Sequence, residues 1–145
     1  MPTRTSPTEP SASPDVEHPV EAMALVVFQS GMGARVVDAK WDDIDAAFGG
    51  FDPDETANLT SFDIDRLCSD PRVIRNRRRL EAIVHNARVL IDWEQADGVR
   101  RSLVGLASDD DRASEVISRL NFVGPTGAHE FLWRIGVSSD AGCEL

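Results

Sequence analysis

Apolar residues recur at helical spacing along almost the whole chain from Val20 onward. The first run, EAMALVVFQSG, is apolar on most of its sides and predicts a largely buried helix. After a glycine-rich break, apolar side chains return every three or four positions, which is the pattern of one helix face: Val36, Val37, Trp41, Ile44 and Phe48. The pair Gly49-Gly50 is expected to end this second helix.

Capping residues divide the middle of the chain into further helices. Asp52 is placed to cap a helix whose first turn contains Pro53, and Ser61 is placed to cap the next one. The longest periodic run, PRVIRNRRRLEAIVHNARVLIDWEQ, predicts a helix with Pro71 in its first turn. Gly98 marks its end, and GVRRSLVGL predicts only a weak, short helix.

The last third of the chain has the same character. DDDRASEVISRL predicts a capped amphipathic helix whose acidic start suits the helix dipole. A tight turn, NFVGPTG, follows, with Pro125 at the start of a final helix that stops at Gly136. No segment shows the sustained alternation of a strand, and no internal repeat is recognisable. The predicted fold class is therefore all-α.

The two ends of the chain differ in composition from the part between them. Residues 1–19 are rich in proline, serine and threonine and predict a disordered tail, residues 20–136 form the helical domain, and residues 137–145 form a C-terminal tail. No stretch approaches the ~20 apolar residues of a membrane span, and the start lacks the apolar segment of a secretory signal. We therefore expect a cytoplasmic monomer without a membrane partner. Cys68 and Cys143 lack CxxC spacing, which fits a reducing compartment.

The charge is unevenly distributed along the chain. The net charge of −10 argues against a general polyanion binder. One stretch is nevertheless basic, and it contains Arg75, Arg77, Arg78 and Arg79. These arginines are candidates for salt-dependent phosphate contacts. The alternative is a solvated helix face that balances acidic residues elsewhere, where each surface ion pair contributes ~0–1 kcal/mol.

Few residues suggest chemistry by themselves. Three histidines and two cysteines are scattered without the spacing of a tetrahedral site, so neither a metal nor another cofactor is expected. Gln29 is the strongest pocket candidate, because a polar side chain on an otherwise apolar helix must find a partner or face a cavity. Trp133 is a second candidate for that pocket, since an aromatic ring can stack on an unstacked base; as the alternative, aromatic residues at helical spacing are more often core.

Three segments match, in order, the pattern of one known family. They are WDDIDAAFGGFDPDETANL, VIRNRRRLEAIVHNARVL and LNFVGPTGAHEFLWRIG, and together they span most of the helical domain. Their combination resembles the DNA-3-methyladenine glycosylase I family. The resemblance implies a helix-hairpin-helix DNA glycosylase-like bundle and an enzyme of base-excision repair. Such an enzyme flips an alkylated base out of DNA and hydrolyses its N-glycosidic bond.

The resemblance also implies a set of site residues and a partner. LNFVGPTG is similar to the family's hairpin, so Gly124 and Thr126 are expected at a phosphate of alkylated double-stranded DNA, together with the four arginines. The family's base-recognising glutamate falls on Val26 and its pocket tryptophan on Ala34, and the sequence contains no tyrosine. The chain therefore resembles a truncated and degenerate member, which in a bacterial cell would be found at the nucleoid.

Two alternatives to an active enzyme remain open from the sequence. The first is a catalytically inactive remnant of the family that binds DNA or a protein through the same scaffold. The second is a poorly folded product. Both follow from the replacements at Val26 and Ala34 and from the missing tyrosine.

Overall fold

A computed structural model describes residues 18–73 and 76–137, with the backbone alone at residues 31 and 32. Over these ranges the chain forms eight helices and no strand, which confirms the all-α prediction. The helices are α1 (Pro19–Met32), α2 (Ala34–Ala47), α3 (Pro53–Ala57), α4 (Ser61–Cys68), α5 (Arg77–Ala96), α6 (Val99–Val104), α7 (Asp109–Arg119) and α8 (Pro125–Arg134).

Helix α1 is the centre of the bundle. It packs against α2, α5 and α8, and every side chain from Ala22 to Phe28 is at most 2% exposed. The apolar composition of EAMALVVF requires this, since a helix that is apolar all round must be covered all round. Complete burial of a large apolar side chain contributes about 1.5–3 kcal/mol, so this helix organises the core.

Aromatic rings close the bundle behind α2. Gly49 and Gly50 have φ values of 67° and 82°, and they end α2 as predicted and turn the chain back. This turn places Phe51 in the core at 1% exposure. The Phe51 ring stacks on Trp41 and Phe48 with centroid separations of 5.4 and 4.5 Å. Trp41 is therefore a core residue.

The caps of α3 and α4 follow local chemistry, with one correction. Asp52 caps α3 as predicted, accepting from the Glu55 N–H. The expected cap of α4, Ser61, is wrong, because Thr60 takes this role and exchanges hydrogen bonds with Asp63. The reason is the residue three positions on. Asp63 completes a capping box with Thr60, whereas the partner available to Ser61 is the buried, apolar Ile64.

The long helix α5 starts later than the sequence suggested. We expected Pro71 in its first turn, but α5 begins at Arg77, with Asn76 as its N-cap. The Asp70 carboxylate instead accepts from both the backbone and the side chain of Arg72, which closes a separate turn there. Val73 consequently lies outside the helix, although it is still buried in the core.

Arginine side chains fasten helix ends across the bundle. Arg88 donates to the Ala57 carbonyl at the end of α3, and Arg100 donates to the Ile135 carbonyl at the end of α8. Arg112 donates to the Leu103 carbonyl in the last turn of α6 and to the Leu106 carbonyl just after it. Cations at helix C-termini satisfy unpaired carbonyls and complement the helix dipole. Part of the arginine content is thus used in folding.

The predicted tails, 1–19 and 137–145, fall almost entirely outside the described residues and stay predictions. Helix α1 starts at Pro19, capped by His18. Within the described part of the chain, no helix has both the length and the apolar character needed to cross a membrane.

Candidate nucleic-acid interface

The turn between α7 and α8 lies at the surface. Leu120 and Val123 anchor it in the core at 4% and 6% exposure, while Asn121, Phe122 and Gly124 are exposed. Helices α7 and α8 pack directly against each other and form the two arms of a helical hairpin. We call residues 121–124 the hairpin loop. The buried anchors fix its two sides, so that its tip projects outward.

A buried amide holds the hairpin loop from behind. Asn86 lies on α5 with no exposed surface. Its Nδ2 donates to the Asn121 carbonyl at 3.0 Å, and its Oδ1 accepts from the Asn121 N–H at 2.8 Å. Because the backbone N–H and C=O of Asn121 are both bound to one buried side chain, the loop's backbone direction is fixed before any ligand arrives.

Helix α8 presents an uncapped N-terminus next to this loop. Gly124 is the N-cap and offers no side-chain acceptor to the first amides of the helix. Pro125 occupies the first turn, and Thr126 is exposed. Unpaired amides at a helix N-terminus carry partial positive charge, which suits an anion such as phosphate. The two predicted hairpin residues, Gly124 and Thr126, therefore lie together at one exposed end of α8.

The predicted arginines have different environments. Arg77 pairs with Asp65 on α4 and with Glu81. Arg79 donates to the Val27 carbonyl at 2.9 Å and to the Ser30 hydroxyl at 2.6 Å, both on α1. Arg78 is exposed and has no ion pair with a described residue. Arg75 lies outside the described residues. Of the four, Arg78 is the guanidinium that the described structure leaves available to a phosphate.

The two predicted pocket residues, Gln29 and Trp133, are not brought together. Arg100 links the start of α1 to the end of α8, since it lines a cleft with His18 and bonds to the Ile135 carbonyl. Trp133 is at this end of α8 and is 40% exposed. Gln29 lies about 15 Å further along α1. Its Nε2 donates to Asp38 on α2 at 3.0 Å, so its amide already has a partner.

The position that the resemblance assigned to a glutamate is closed by packing. Val26 is 2% exposed. A Cβ atom at position 127 would lie 2.6 Å from the Val26 Cγ1 atom, so any residue larger than glycine there would require the packing of α8 on α1 to shift. Ala34, the position assigned to a tryptophan, is exposed at the start of α2.

Two carboxyl groups with strongly shifted pKa values stabilise turns. The Thr60 backbone N–H, followed by the Arg66 guanidinium, holds the pKa of Asp63 at about 2. The Arg72 side chain holds the pKa of Asp70 at about 2. Burial, followed by the nearby Arg100, lowers the pKa of His18. None of these groups belongs to the hairpin loop. Among the described residues, no group of three or more His, Cys, Asp or Glu side chains could hold a metal ion.

One residue of this surface was not singled out from the sequence. Phe122 is 39% exposed at the tip of the hairpin loop and has a φ of 62°. An aromatic residue in the left-handed region is uncommon and requires support from its surroundings. The sequence signal was available, because a large apolar residue within a tight exposed turn has no obvious core to fill.

Comparison with known proteins gives consistent results. The family model described as methyladenine glycosylase matches residues 11–119. DNA-3-methyladenine glycosylase 1 of Escherichia coli is 35% identical over 75 residues, covering 52% of this chain and 40% of that protein. DNA-3-methyladenine glycosylase of Haemophilus influenzae is 36% identical over 75 residues with the same coverage. The chain thus spans well under half the length of these curated relatives.

Solved structures share the same arrangement of helices. A variant of 3-methyladenine DNA glycosylase I from Staphylococcus aureus superposes with a TM-score of 0.71 at 27% identity, covering 85% of this chain and 78% of that one. A variant of 3-methyladenine DNA glycosylase I in complex with 3-methyladenine gives a TM-score of 0.72 at 26% identity, with 87% and 80% coverage. These matches confirm the predicted helical DNA glycosylase-like bundle.

Proposed function

The chain belongs to the methyladenine glycosylase family, and we propose that it binds alkylated duplex DNA and acts in base-excision repair as a 3-methyladenine glycosylase-like protein. The DNA-binding surface in this proposal consists of the hairpin loop and the N-terminus of α8. The reaction is hydrolysis of the N-glycosidic bond of the alkylated base.

The observation that carries this proposal is the uncapped N-terminus of α8 beside an exposed, rigidly held loop. Gly124 leaves the first amides of α8 without a side-chain partner, and the Asn86 side chain fixes the backbone of Asn121 at the start of the hairpin loop. A preoriented row of N–H donors binds a backbone phosphate without first paying an ordering entropy. Such contacts position a protein on DNA but carry no base specificity.

Charge makes the binding local and dependent on salt. A net charge of −10 opposes attraction to a polyanion at long range. Affinity must therefore come from the α8 amides and from the exposed Arg78. Each neutralised phosphate contributes close to one unit to the slope of log affinity against log salt, so we expect a shallow slope of about −1 to −2.

The proposed reaction needs little acid–base machinery. A 3-methyladenine base in DNA is cationic, and it leaves as a neutral base with the electron pair of the N-glycosidic bond. Water adds to the sugar carbon and releases a proton. The protein's part is to extrude the base from the stack and hold it in a pocket.

A catalytically inactive DNA-binding protein is the second candidate, and the packing of Val26 favours it. Val26 fills the space between α1 and α8 with an apolar side chain. The Gln29 amide, the strongest candidate for a pocket contact, is bound to Asp38. Val26 therefore offers no polar group to an extruded base, and the Gln29 Nε2 atom is directed toward Asp38. Excision and binding must therefore be measured separately.

Binding is tested with the Gly124→Asp variant. Gly124 has a φ of −99°, and a Cβ atom there meets no atom within 4 Å, so the substitution fits the backbone. An N-cap aspartate accepts from the first amides of α8 and raises helix stability by a few tenths of a kcal/mol, roughly. The aspartate also occupies the proposed phosphate site, and its negative charge repels the phosphate. We expect equal or higher thermal stability and a more than about tenfold loss of duplex affinity.

The matched control is Gln95→Glu on α5. It adds the same charge near the opposite end of α5, and duplex affinity should hardly change. Equal affinity losses in both variants would contradict the hairpin as the DNA contact. Excision is then measured as the release of free base from a duplex containing 3-methyladenine. Release identifies the enzyme, and binding without release identifies the inactive DNA-binding protein.

A further inference from the structure

A cleft runs between the hairpin loop and the first half of α5. One wall of the cleft is formed by α5 residues 78, 81, 82 and 85, which lie on one helical face because they are spaced at helical intervals. Its other wall is the hairpin tip, and its volume is about 480 Å³. The residues that line it are Arg78, Glu81, Ala82, His85, Asn121 and Phe122.

Hydrogen bonds to the preceding residue and a contact with an arginine hold the Phe122 ring in this wall. Its backbone is in the left-handed region, and it follows Asn121, whose backbone N–H and C=O are both bound by Asn86. The Arg79 guanidinium lies over the ring at 5.0 Å from the centroid. Arg79 is itself fixed by two hydrogen bonds to α1. A large ring is therefore kept at the surface in one orientation instead of folding into the core.

We propose that this cleft binds one unpaired nucleotide of DNA, with its base against the Phe122 ring and its phosphate at Arg78. The inference rests on the proposed function, because the hairpin loop brings the DNA strand to the cleft. It concerns a site distinct from the pocket expected around Gln29 and Trp133. Such a site would give the protein a preference for DNA in which a base has left the stack.

The chemistry of the walls fits this ligand. Every base has an aromatic face, so a ring that stacks on it does not select a sequence. Arg78 is exposed and supplies a guanidinium that can bind a phosphate through two parallel N–H groups. The Glu81 carboxylate would oppose an anion, but it forms an ion pair with Arg77, one turn earlier on α5. The exposed His85 offers ring nitrogens to the edge of a base.

The small residue at the floor gives the cleft its depth. Ala82 is 4% exposed and lies between Arg78 and His85 on the α5 face. A larger side chain there would fill the space in which a base would lie. The size of the cleft falls within the range of about 300–1,000 Å³ found for small-molecule sites.

The test compares two short duplexes that differ by one nucleotide. The first is fully paired, and the second carries a single unpaired thymidine. Fluorescence anisotropy gives the affinity of the full chain for each. We expect the wild-type protein to bind the second duplex about tenfold more tightly, which is the contribution of one base stacked on an aromatic ring.

Variants at Phe122 separate stacking from general packing. Phe122→Leu keeps an apolar side chain and removes the aromatic face, and it should abolish the preference, so that the variant binds the two duplexes with equal affinity. Phe122→Trp should retain the preference. Arg78→Ala should reduce it, whereas the matched control Arg101→Ala, on α6 beyond the far end of α5, should not. Thermal unfolding shows that each variant is folded.

Each outcome decides a specific point. Equal affinity for the two duplexes, or a preference that survives Phe122→Leu, would overturn the nucleotide site and leave the hairpin as a DNA contact. Absence of binding to both duplexes, with a folded wild-type protein, would overturn the proposed function and the nucleotide site together. A preference that is lost in Phe122→Leu, reduced in Arg78→Ala and retained in Phe122→Trp and Arg101→Ala supports the cleft as the site.

Discussion

The side chain of Asn86 forms a two-bond clamp on the backbone N–H and C=O of Asn121, 35 residues later in the chain. This contact joins the core of α5 to the hairpin loop and orients the loop's backbone. The hydrogen bonds could not be exchanged for water, because Asn86 has no exposed surface. The clamp therefore links the stability of the bundle to the geometry of the DNA contact.

Replacing Asn86 with aspartate should make stability depend on pH in a new way. At neutral pH the buried carboxylate loses the donor to the Asn121 carbonyl and is destabilising by about 3 kcal/mol or more. Burial raises the pKa of such a group above that of the unfolded chain. As the pH falls toward 4, the neutral acid regains an O–H donor. The stability difference from the wild-type protein should therefore shrink, as measured by denaturant unfolding from pH 7 to pH 4.

The control for this experiment is Asn86→Ala, which carries no titratable group. It should be less stable than the wild-type protein by about 2 kcal/mol at both pH values, because it leaves the two Asn121 groups without their partner. A deficit of Asn86→Asp that stays constant with pH would contradict the clamp.

The helical pattern allowed much of the fold to be predicted, because local spacing reflects which side must be buried. The run from Ala22 to Phe28 must be buried on all sides because it is apolar on all sides. The glycine pair after α2 ends that helix because glycine adopts a positive φ without strain. The start of α5 was missed because proline suits a turn as well as a first helical turn. In the structure, Asp70 closes that turn through Arg72.

The site was harder to predict because its residues are brought together by tertiary contacts. Charge alone marked Arg79 as a phosphate ligand, but its partners Val27 and Ser30 are 52 and 49 residues away. Gln29 needed a partner, as expected, and found it in Asp38 rather than in a cavity. The hairpin residues Gly124 and Thr126 were placed together at one helix end because their turn chemistry is local.

Arg79 and Arg78 are adjacent in sequence but should differ in their effect on stability. Arg79→Ala removes two charge-assisted hydrogen bonds to α1 and the cation over Phe122. We expect a loss of about 2–3 kcal/mol in the free energy of unfolding. Arg78→Ala, at an exposed position, should stay within roughly 0.5 kcal/mol of the wild-type protein. Equal losses would show that Arg79 does not anchor α5 to α1.

Asp63 should make the start of α4 sensitive to acid. Its pKa of about 2 lies below the usual value of 3.8, mainly because the Thr60 N–H donates to the carboxylate. A lowered pKa stabilises the folded state at pH values above the pKa of the same group in the unfolded chain. This contribution is lost as the pH falls from about 4 to about 2. The thermal midpoints of the wild-type protein and Asp63→Asn should converge over this range.

The cause of that shift can be separated by a second variant. In Arg66→Ala the Thr60 N–H still donates to Asp63, so NMR titration should find the Asp63 pKa still below 3.8. A return to the usual value would show that the ion pair, and not the cap, lowers the pKa.

The contact between Val26 and Gly127 predicts a reversal of sign. Gly127→Ala adds a methyl group 2.6 Å from the Val26 Cγ1 atom, and the stiff, buried valine cannot easily yield. Overpacking of this kind costs about 1–3 kcal/mol, which exceeds the gain of up to ~1 kcal/mol from replacing a helical glycine by alanine. The single variant should therefore unfold more easily.

In a Val26→Ala background the methyl group enters the vacated space, and the same substitution should stabilise the protein. Denaturant unfolding of the four variants of this double-mutant cycle measures the coupling. Destabilisation of equal size in both backgrounds would mean that α8 does not rest on Val26, and the closed packing at the position assigned to the family's glutamate would have to be abandoned.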